Sequence, residues 1–393
     1  MNARIALALV FLLSSTQRTA AAEAGGPGDE FFKNGPAHSF EIQLSGENLK
    51  ALRIAPREYV SATVKADGQT YTEVGIRLKG VATFRPVDDE PSLTLNFSKF
   101  VPDRRFHGLR KIHLNNGKED PTFLCEAISA EMFAGAGLPA ARVTHAHTRL
   151  NGRDLGPYVV IEGFTREFLA RYFKNTHGNL YDSGFCHDIT HPLERIAGKG
   201  PDDWQDLKQL VAAAQTEAMD QRWRELEACL DTNSFGRYLA MQVLTVNWDG
   251  YALYKNNYRI YHDPDSGRLH FIPHGMDQMF SRPRSPLMPQ RWEGLLASAF
   301  METSEGRAIY EQQLRRLFTE VYQTAALVRR VDELADRVRP MFAGRSAETV
   351  AQYDRVVAEL RGRIEHRGKY LAQRLAASEA MNPPRTKPNS TIP

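Results

Sequence analysis

Two aspartates bracket the stretch of this chain best suited to chemistry: Asp249, in Asn247-Trp248-Asp249-Gly250, and Asp277, in Phe271-Ile272-Pro273-His274-Gly275-Met276-Asp277. Between them lies Tyr254-Lys255-Asn256-Asn257-Tyr258-Arg259-Ile260-Tyr261. An acid, an amide about two helical turns on, and a second acid after a hairpin make a set suited to a metal-phosphate site. Phosphoryl transfer needs one carboxylate near the attacking hydroxyl. It also needs an amide and a further carboxylate for the divalent cation. Each residue has a plainer reading. Asp249 suits a turn residue bonded to its own backbone, Asn257 a strand-entry residue, and Asp277 a helix N-cap before Gln278.

The elements that must position these residues fall into two halves. Phe40-Glu41-Ile42-Gln43-Leu44 alternates apolar and polar, as a half-buried strand does. Tyr59–Lys65 and Thr70–Lys79 flank Asp67-Gly68, a hairpin signal. Leu93–Phe97 and Lys111–Leu114 read as further strands. Asp120-Pro121 predicts a helix start, with Asp at N-cap and Pro at N1, running through Phe123, Ile128 and Phe133 to Gly135 or Gly137. Asn151-Gly152 predicts a second hairpin, leading into Tyr158-Val159-Val160-Ile161. From Phe164 the pattern turns helical. It is interrupted by strands at Tyr258–Tyr261 and Leu269–Ile272, and helical again from Gly294 to Ala376. A β-rich half followed by a mostly helical half predicts an α+β protein with two lobes.

Composition bounds the rest. The 393 residues suffice for one large domain or two ordinary ones, and 42% apolar with 25% charged residues is the balance of a soluble globular protein. The net charge of +3 comes without a Lys/Arg run, which argues against a nucleic-acid partner. Arg4, the apolar Ile5–Leu13 run and Ala20-Ala21-Ala22 have the layout of a secretory signal peptide, cleaved before Glu23. No apolar run long enough to span a membrane follows it. The expected organisation is a signal peptide at 1–22, a disordered linker at 23–37, and a β-rich lobe with one long helix at 38–163. A mostly helical lobe at 164–380 carries the acidic segment 247–280, and a tail without a core occupies 381–393. Of the three cysteines, Cys125 sits in an apolar helical context and reads as a buried free thiol. Cys186 and Cys229 leave room for at most one bridge.

Several blocks, in order, resemble the CotH kinase family of atypical protein kinases. They are Val74-Gly75-Ile76-Arg77-Leu78-Lys79-Gly80, Leu109–Asn116 with Asp120–Glu126, and Ala136-Gly137-Leu138-Pro139. Further blocks are Leu150-Asn151-Gly152 with Gly156–Glu162, Gly178-Asn179-Leu180-Tyr181, and the Asp249–Asp277 segment. The likeness runs from about Ser39 to about Ala376. It implies a bilobal, atypical protein-kinase-like fold, with ATP and Mg²⁺ (or Mn²⁺) as cofactors and an exported or surface protein as substrate.

It also implies roles. Lys79 ends a strand before Gly80, where the backbone can approach phosphates closely, and Arg77 shares its sheet face. Both would bind nucleotide phosphates, and Glu126 would partner Lys79 from its helix. Asp249 would serve as catalytic base or hydroxyl orienter, and Asp277 as the main metal ligand. Asn257 aligns with the Asn of the family's His-Asn-Tyr-Tyr block, with Asn256 at the His position; either amide suits the metal, Asn257 better. Glu162 would lie in the lobe connection along the adenine pocket.

The chain also departs from the family. Where relatives read Pro-Trp-Asp-x-Asp, it has Pro273-His274-Gly275-Met276-Asp277, losing a carboxylate at Gly275. It has Glu90 and Thr94 at positions that are often basic, and Cys125 where Arg is common. These departures keep a second reading open, a non-catalytic kinase-fold protein that binds or assembles at a surface.

Overall fold

A computed structural model describes residues 26–33, 35–200 and 203–381, with side chains to residue 377. The expected signal peptide and the tail beyond Met381 lie outside the described residues.

Seven strands form the first lobe: β1 (His38–Gln43), β2 (Val60–Ala66), β3 (Gln69–Leu78), β4 (Leu93–Asn96), β5 (Lys111–Asn115), β6 (Val143–Leu150) and β7 (Arg153–Glu162). They close into a barrel in the order β1-β2-β3-β4-β5-β7-β6. Antiparallel pairing follows the Asp67-Gly68 and Asn151-Gly152 turns, and a parallel β1–β6 pairing closes the ring. Alternation decides the faces. In β2, Val60, Ala62, Val64 and Ala66 point inward and the residues between them outward. Phe40, Ile42, Ile76, Leu95, Leu114 and Val160 fill the interior.

The helices are α1 (Asp29–Phe32), α2 (Gly46–Ile54), α3 (Cys125–Gly135), α4 (Arg166–Leu169), α5 (Gln205–Gln215), α6 (Met219–Cys229), α7 (Thr232–Leu244) and α8 (Tyr251–Tyr254). After them come α9 (Leu295–Glu302), α10 (Ser304–Glu320), α11 (Thr324–Val338) and α12 (Ala347–Met381). A second sheet, ordered β11-β10-β8-β9, lies in this half. Its strands are β8 (Leu180–Asp182), β9 (Glu194–Ala197), β10 (Tyr258–Asp263) and β11 (Arg268–Pro273). The α+β, two-lobed arrangement is as expected. Among the described residues no helix is long and apolar enough to cross a membrane.

Three expectations are corrected. First, α3 starts at Cys125 rather than Pro121. Asp120 Oδ1 accepts from Thr122 N and Oγ1, and Phe123 takes a left-handed φ of 62°, so the chain turns before it can wind. Asp120 still caps the helix, because its Oδ2 accepts from Cys125 N at 2.8 Å. Glu126 therefore stays in the first turn. Second, α3 belongs to the core of the helical lobe. Leu124, Ile128, Met132 and Phe133 pack with α7 and α11 residues rather than inside the barrel.

Third, residues 26–33 are packed rather than disordered. Phe31 is 1% exposed, lying 4.8 Å from Phe106 and stacked at 4.0 Å on His38, while Asp29 pairs with Arg142. Gly and Pro at the start of the segment suggested flexibility, but Phe31 is an anchor. The cysteines are all free: Cys125 is buried as expected, and Cys186 and Cys229 do not bridge.

Phe31→Ala should lower the unfolding free energy by about 3 kcal/mol, measured by urea denaturation. A loss below about 0.5 kcal/mol, the range of an ordinary surface substitution, would mean that this segment is not part of the core.

Candidate active site

The Asp249 turn is held by packing and by backbone strain. Val246, a β-branched residue at φ 55°, breaks α7 and reverses the chain. Such a conformation costs about 1–3 kcal/mol and persists only where neighbours enforce it. Here Arg367 of α12, fully buried, enforces it by donating to Val243 O, Leu244 O, Pro283 O and Ser285 O. A cation at these carbonyls also suits the negative end of α7. Gly250 is required by space: a Cβ there would meet the Gln242 and Asn247 side chains at 2.7 Å. Lys255 and Asn257 both adopt left-handed φ, 55° and 53°, which turns the Asn257 side chain back on Asp249. Asn257 Nδ2 donates to Asp249 Oδ2 at 2.7 Å and Asn256 Nδ2 donates to Oδ1 at 3.2 Å. Burial raises the Asp249 carboxyl above its usual range, and the two amides restrain the rise.

Asp277 follows β11. Gly275, just before it, has φ 59°, and a Cβ there would lie 2.6 Å from Asn257 Oδ1. Asn257 has committed its Nδ2 to Asp249, so its oxygen faces position 275. The lost carboxylate therefore has a geometric counterpart, because no side chain fits there while Asn257 holds Asp249. Asp277 is pushed up to about 6 by burial, then by Asp120, with Lys79 opposing. Glu126 is pushed up to about 8 by burial and by Asp277, and its Oε2 is buried without a partner. Lys79 is brought down to about 8 by burial, against the pull of Glu126. The two form no direct ion pair; Lys79 Nζ donates to Asn115 Oδ1 instead.

These residues line one cleft of about 480 Å³, which Lys79, Glu126, Asp249, Asn257 and Asp277 reach from five segments of the chain. Arg77 lies on its wall, stacked over Tyr59 at 4.9 Å. Among the described residues no group of three or more His, Cys, Asp and Glu converges as a self-sufficient metal cage. Mg²⁺ does not require one, since it is commonly held by one or two carboxylates with phosphate oxygens and water. Asp277 and Asn257 Oδ1 fit that need, and the orphaned Glu126 oxygen is a further buried polar atom on the same cleft.

Glu162 is corrected. Its fully buried carboxylate is taken by Arg142, at 2.6 Å, and by Arg171. It does not line the cleft. The amides of Glu162 and Gly163 are also committed, to Arg142 O and Lys111 O. Ile161 and Phe164 form the wall there instead. His274 lines the cleft with Nε2 buried and unpaired, held neutral by burial and by Arg259, which bring it down to about 3.

Sequence reasoning missed Asn115, Asp182 and Arg259. Asp182 directly follows a family block, and Arg259 sits inside the segment bracketed by the two aspartates, but only burial exposes their roles. Trp248, next to Asp249 in the chain, lines a separate groove of about 380 Å³ with Tyr254, Arg282, Pro286 and Pro289.

The sequence profile of the CotH kinase protein family matches residues 76–371. The chain belongs to this family. Inner spore coat protein H of Bacillus subtilis (strain 168) is 23% identical over 300 residues, covering 70% of this chain and 82% of that protein. Invasin CotH2 of Rhizopus delemar is 24% identical over 252 residues, covering 56% of this chain. The chain spans only 42% of that invasin's length. Among solved structures, the Helicobacter pylori proinflammatory kinase CtkA aligns with a TM-score of 0.38 at 11% identity, over 73% of this chain and 95% of that one. The protein has a kinase fold of CotH type, and its α+β, two-lobed form agrees with that membership.

Gly275→Asp should not improve the site. The side chain would collide with Asn257 from a left-handed backbone, so unfolding free energy should drop by about 1–3 kcal/mol in thermal denaturation. ATP affinity, read by calorimetry, should not rise. Glu162→Ala should remove about 1–3 kcal/mol of stability, since it breaks the bonds to Arg142 and Arg171 while both arginines keep some solvent and Arg142 keeps Asp29. In the fraction that stays folded, nucleotide affinity should match the parent; a selective loss of nucleotide binding would return Glu162 to the site.

Proposed function

We propose that the cleft binds ATP with Mg²⁺ (or Mn²⁺) and transfers the γ-phosphate to a Ser or Thr hydroxyl of an exported or surface protein. The observation that carries this reading is the convergence of Lys79, Glu126, Asp249, Asn257 and Asp277 on one cleft. Family membership supports it. The divalent cation would neutralise phosphate charge and hold the triphosphate in line.

The chain's own residues divide the remaining work. Lys79, freed from its bond to Asn115, draws phosphate oxygens toward the barrel. Asp249 accepts the hydroxyl proton as the acceptor oxygen bonds to phosphorus and the bond to the β-phosphate oxygen breaks. Its two amide donors fix the carboxylate's direction, and partial burial lifts its affinity for the proton. Asp277 and Asn257 Oδ1 would hold the cation. A polypeptide acceptor suits the groove beside Trp248, whose aromatic and proline walls can receive an extended chain. An exported site of action accords with the leader-like N-terminus and with relatives named as a spore coat protein and an invasin.

The second reading, a non-catalytic assembly protein, draws on Gly275, where a carboxylate is absent. Labelled ATP separates the two. Asp249→Ala and Asp277→Ala should each lower autophosphorylation at least about a hundredfold while leaving the fold intact by circular dichroism. Absence of any ATP-dependent thermal shift at millimolar nucleotide would favour the assembly protein, since a ligand of the native state must stabilise it.

The pH dependence is defined by the same groups. Asp277 must lose a proton to hold the cation, and Lys79 must keep one to hold phosphate. In the protein without ligand these steps lie at about 6 and about 8. ATP affinity in the presence of Mg²⁺ should therefore rise as pH increases through about 6 and fall above about 8. Asp277→Asn should flatten the acid limb and move the alkaline limb to lower pH, because Asp277 helps Lys79 keep its proton.

A further inference from the structure

Arg259 differs from every other cation on the cleft wall. Arg57 donates to Leu78 O and Gly80 O, Arg77 lies on the Tyr59 ring, and Lys79 is bonded to Asn115. Arg259 of β10 has one end fixed: Nη2 pairs with Asp182 Oδ2 at 2.5 Å, and the guanidinium lies 4.0 Å over the Phe164 ring. Its Nε and Nη1 are buried without any acceptor. Leaving donors of a charged group buried and unsatisfied is expensive, so such groups point to a missing partner. The ion pair and the ring together remove the side chain's freedom to swing out and find water.

The surroundings say what the partner is. Burial first, and then Lys79, Lys111, Arg259 and Arg77, disfavours the proton on His113. This end of the cleft is basic. The same cleft carries the buried acids Glu126 and Asp277. A ligand that satisfies both sets of groups carries several anionic oxygens together with a cation.

We infer that Arg259 is a phosphate-binding residue of this cleft, its Nε and Nη1 donating to non-bridging oxygens of the nucleotide triphosphate. It thereby adds a fixed positive charge to the cleft beside Lys79. Asp182 and Phe164 position it. This rests on the nucleotide reading above, but concerns a residue outside the acid–amide–acid set.

The test is calorimetric titration of the full chain with sodium tripolyphosphate, ATP and adenosine, each with and without Mg²⁺. Arg259→Met should weaken tripolyphosphate and ATP at least about tenfold, the worth of a lost charge-assisted pair, and leave adenosine unchanged. Arg259→Lys should recover part of the loss, because a point charge replaces the fork. The paired variant Arg259→Gln with Asp182→Asn removes both charges without stranding Asp182; it should fold like the parent and still bind tripolyphosphate weakly.

Parental affinity for tripolyphosphate and ATP in both Arg259→Met and the paired variant would overturn the inference, while leaving the kinase reading intact. Arg259-dependent binding of tripolyphosphate by a protein that phosphorylates no acceptor would do the reverse. No binding of tripolyphosphate or ATP by the parent would sink both.

Discussion

The amide of Asn257 is shared between two parts of the cleft. Its nitrogen is fixed on the Asp249 carboxylate at 2.7 Å, so its oxygen has only one direction left, toward the backbone at position 275. That choice aims Asp249, leaves an oxygen on the cleft that Asp277 also lines, and makes glycine the residue that fits at 275. It depends in turn on a left-handed Asn257 and, behind it, on the α7 terminus that Arg367 holds from the far side of the lobe. A side chain contributed by a helix more than a hundred residues downstream thus helps set the geometry of a carboxylate it never touches.

The cleft is organised by charge as well as by shape. Acids gather where α3 begins and β11 ends, and cations gather along β3, β5 and β10. Neither group neutralises itself. Glu126 keeps an unpaired oxygen, Arg259 keeps two unpaired nitrogens, and Lys79 bonds to an amide rather than to the acid that attracts it. A structural ion-pair network closes its own bonds, as Arg142, Glu162 and Arg171 do a short distance away. The contrast sets a self-satisfied ion-pair network apart from buried charged groups whose bonds stay open.

Much of this was legible in the sequence where local physics decides. Period-two alternation marked the long strands, and Asp67-Gly68 and Asn151-Gly152 marked the hairpins. The three-residue β8 and four-residue β9 are too short to display a period, and barrel closure needs β1 to find β6 about a hundred residues away. Type and spacing singled out Asp249, Asn257 and Asp277. Lys79, Arg77 and Glu126 emerged from strand-end and helix-start positions strengthened by resemblance. Glu162 was misplaced because its partners, Arg142 and Arg171, lie on either side of it in sequence and meet it only in the fold. Arg259 stayed hidden because an arginine in a strand looks like any solvated residue until burial removes its water.

The seating of α3 in the helical core has a mechanical meaning. Lys79 rides on the barrel, whereas Glu126 travels with Asp277 and the helices. The gap between this lysine and this glutamate therefore spans the seam between the barrel core and the helical core. In a protein whose glutamate helix is carried by the strand lobe, the same pair would report how that helix swings within its own lobe. Here it measures how far the jaws of the cleft stand apart.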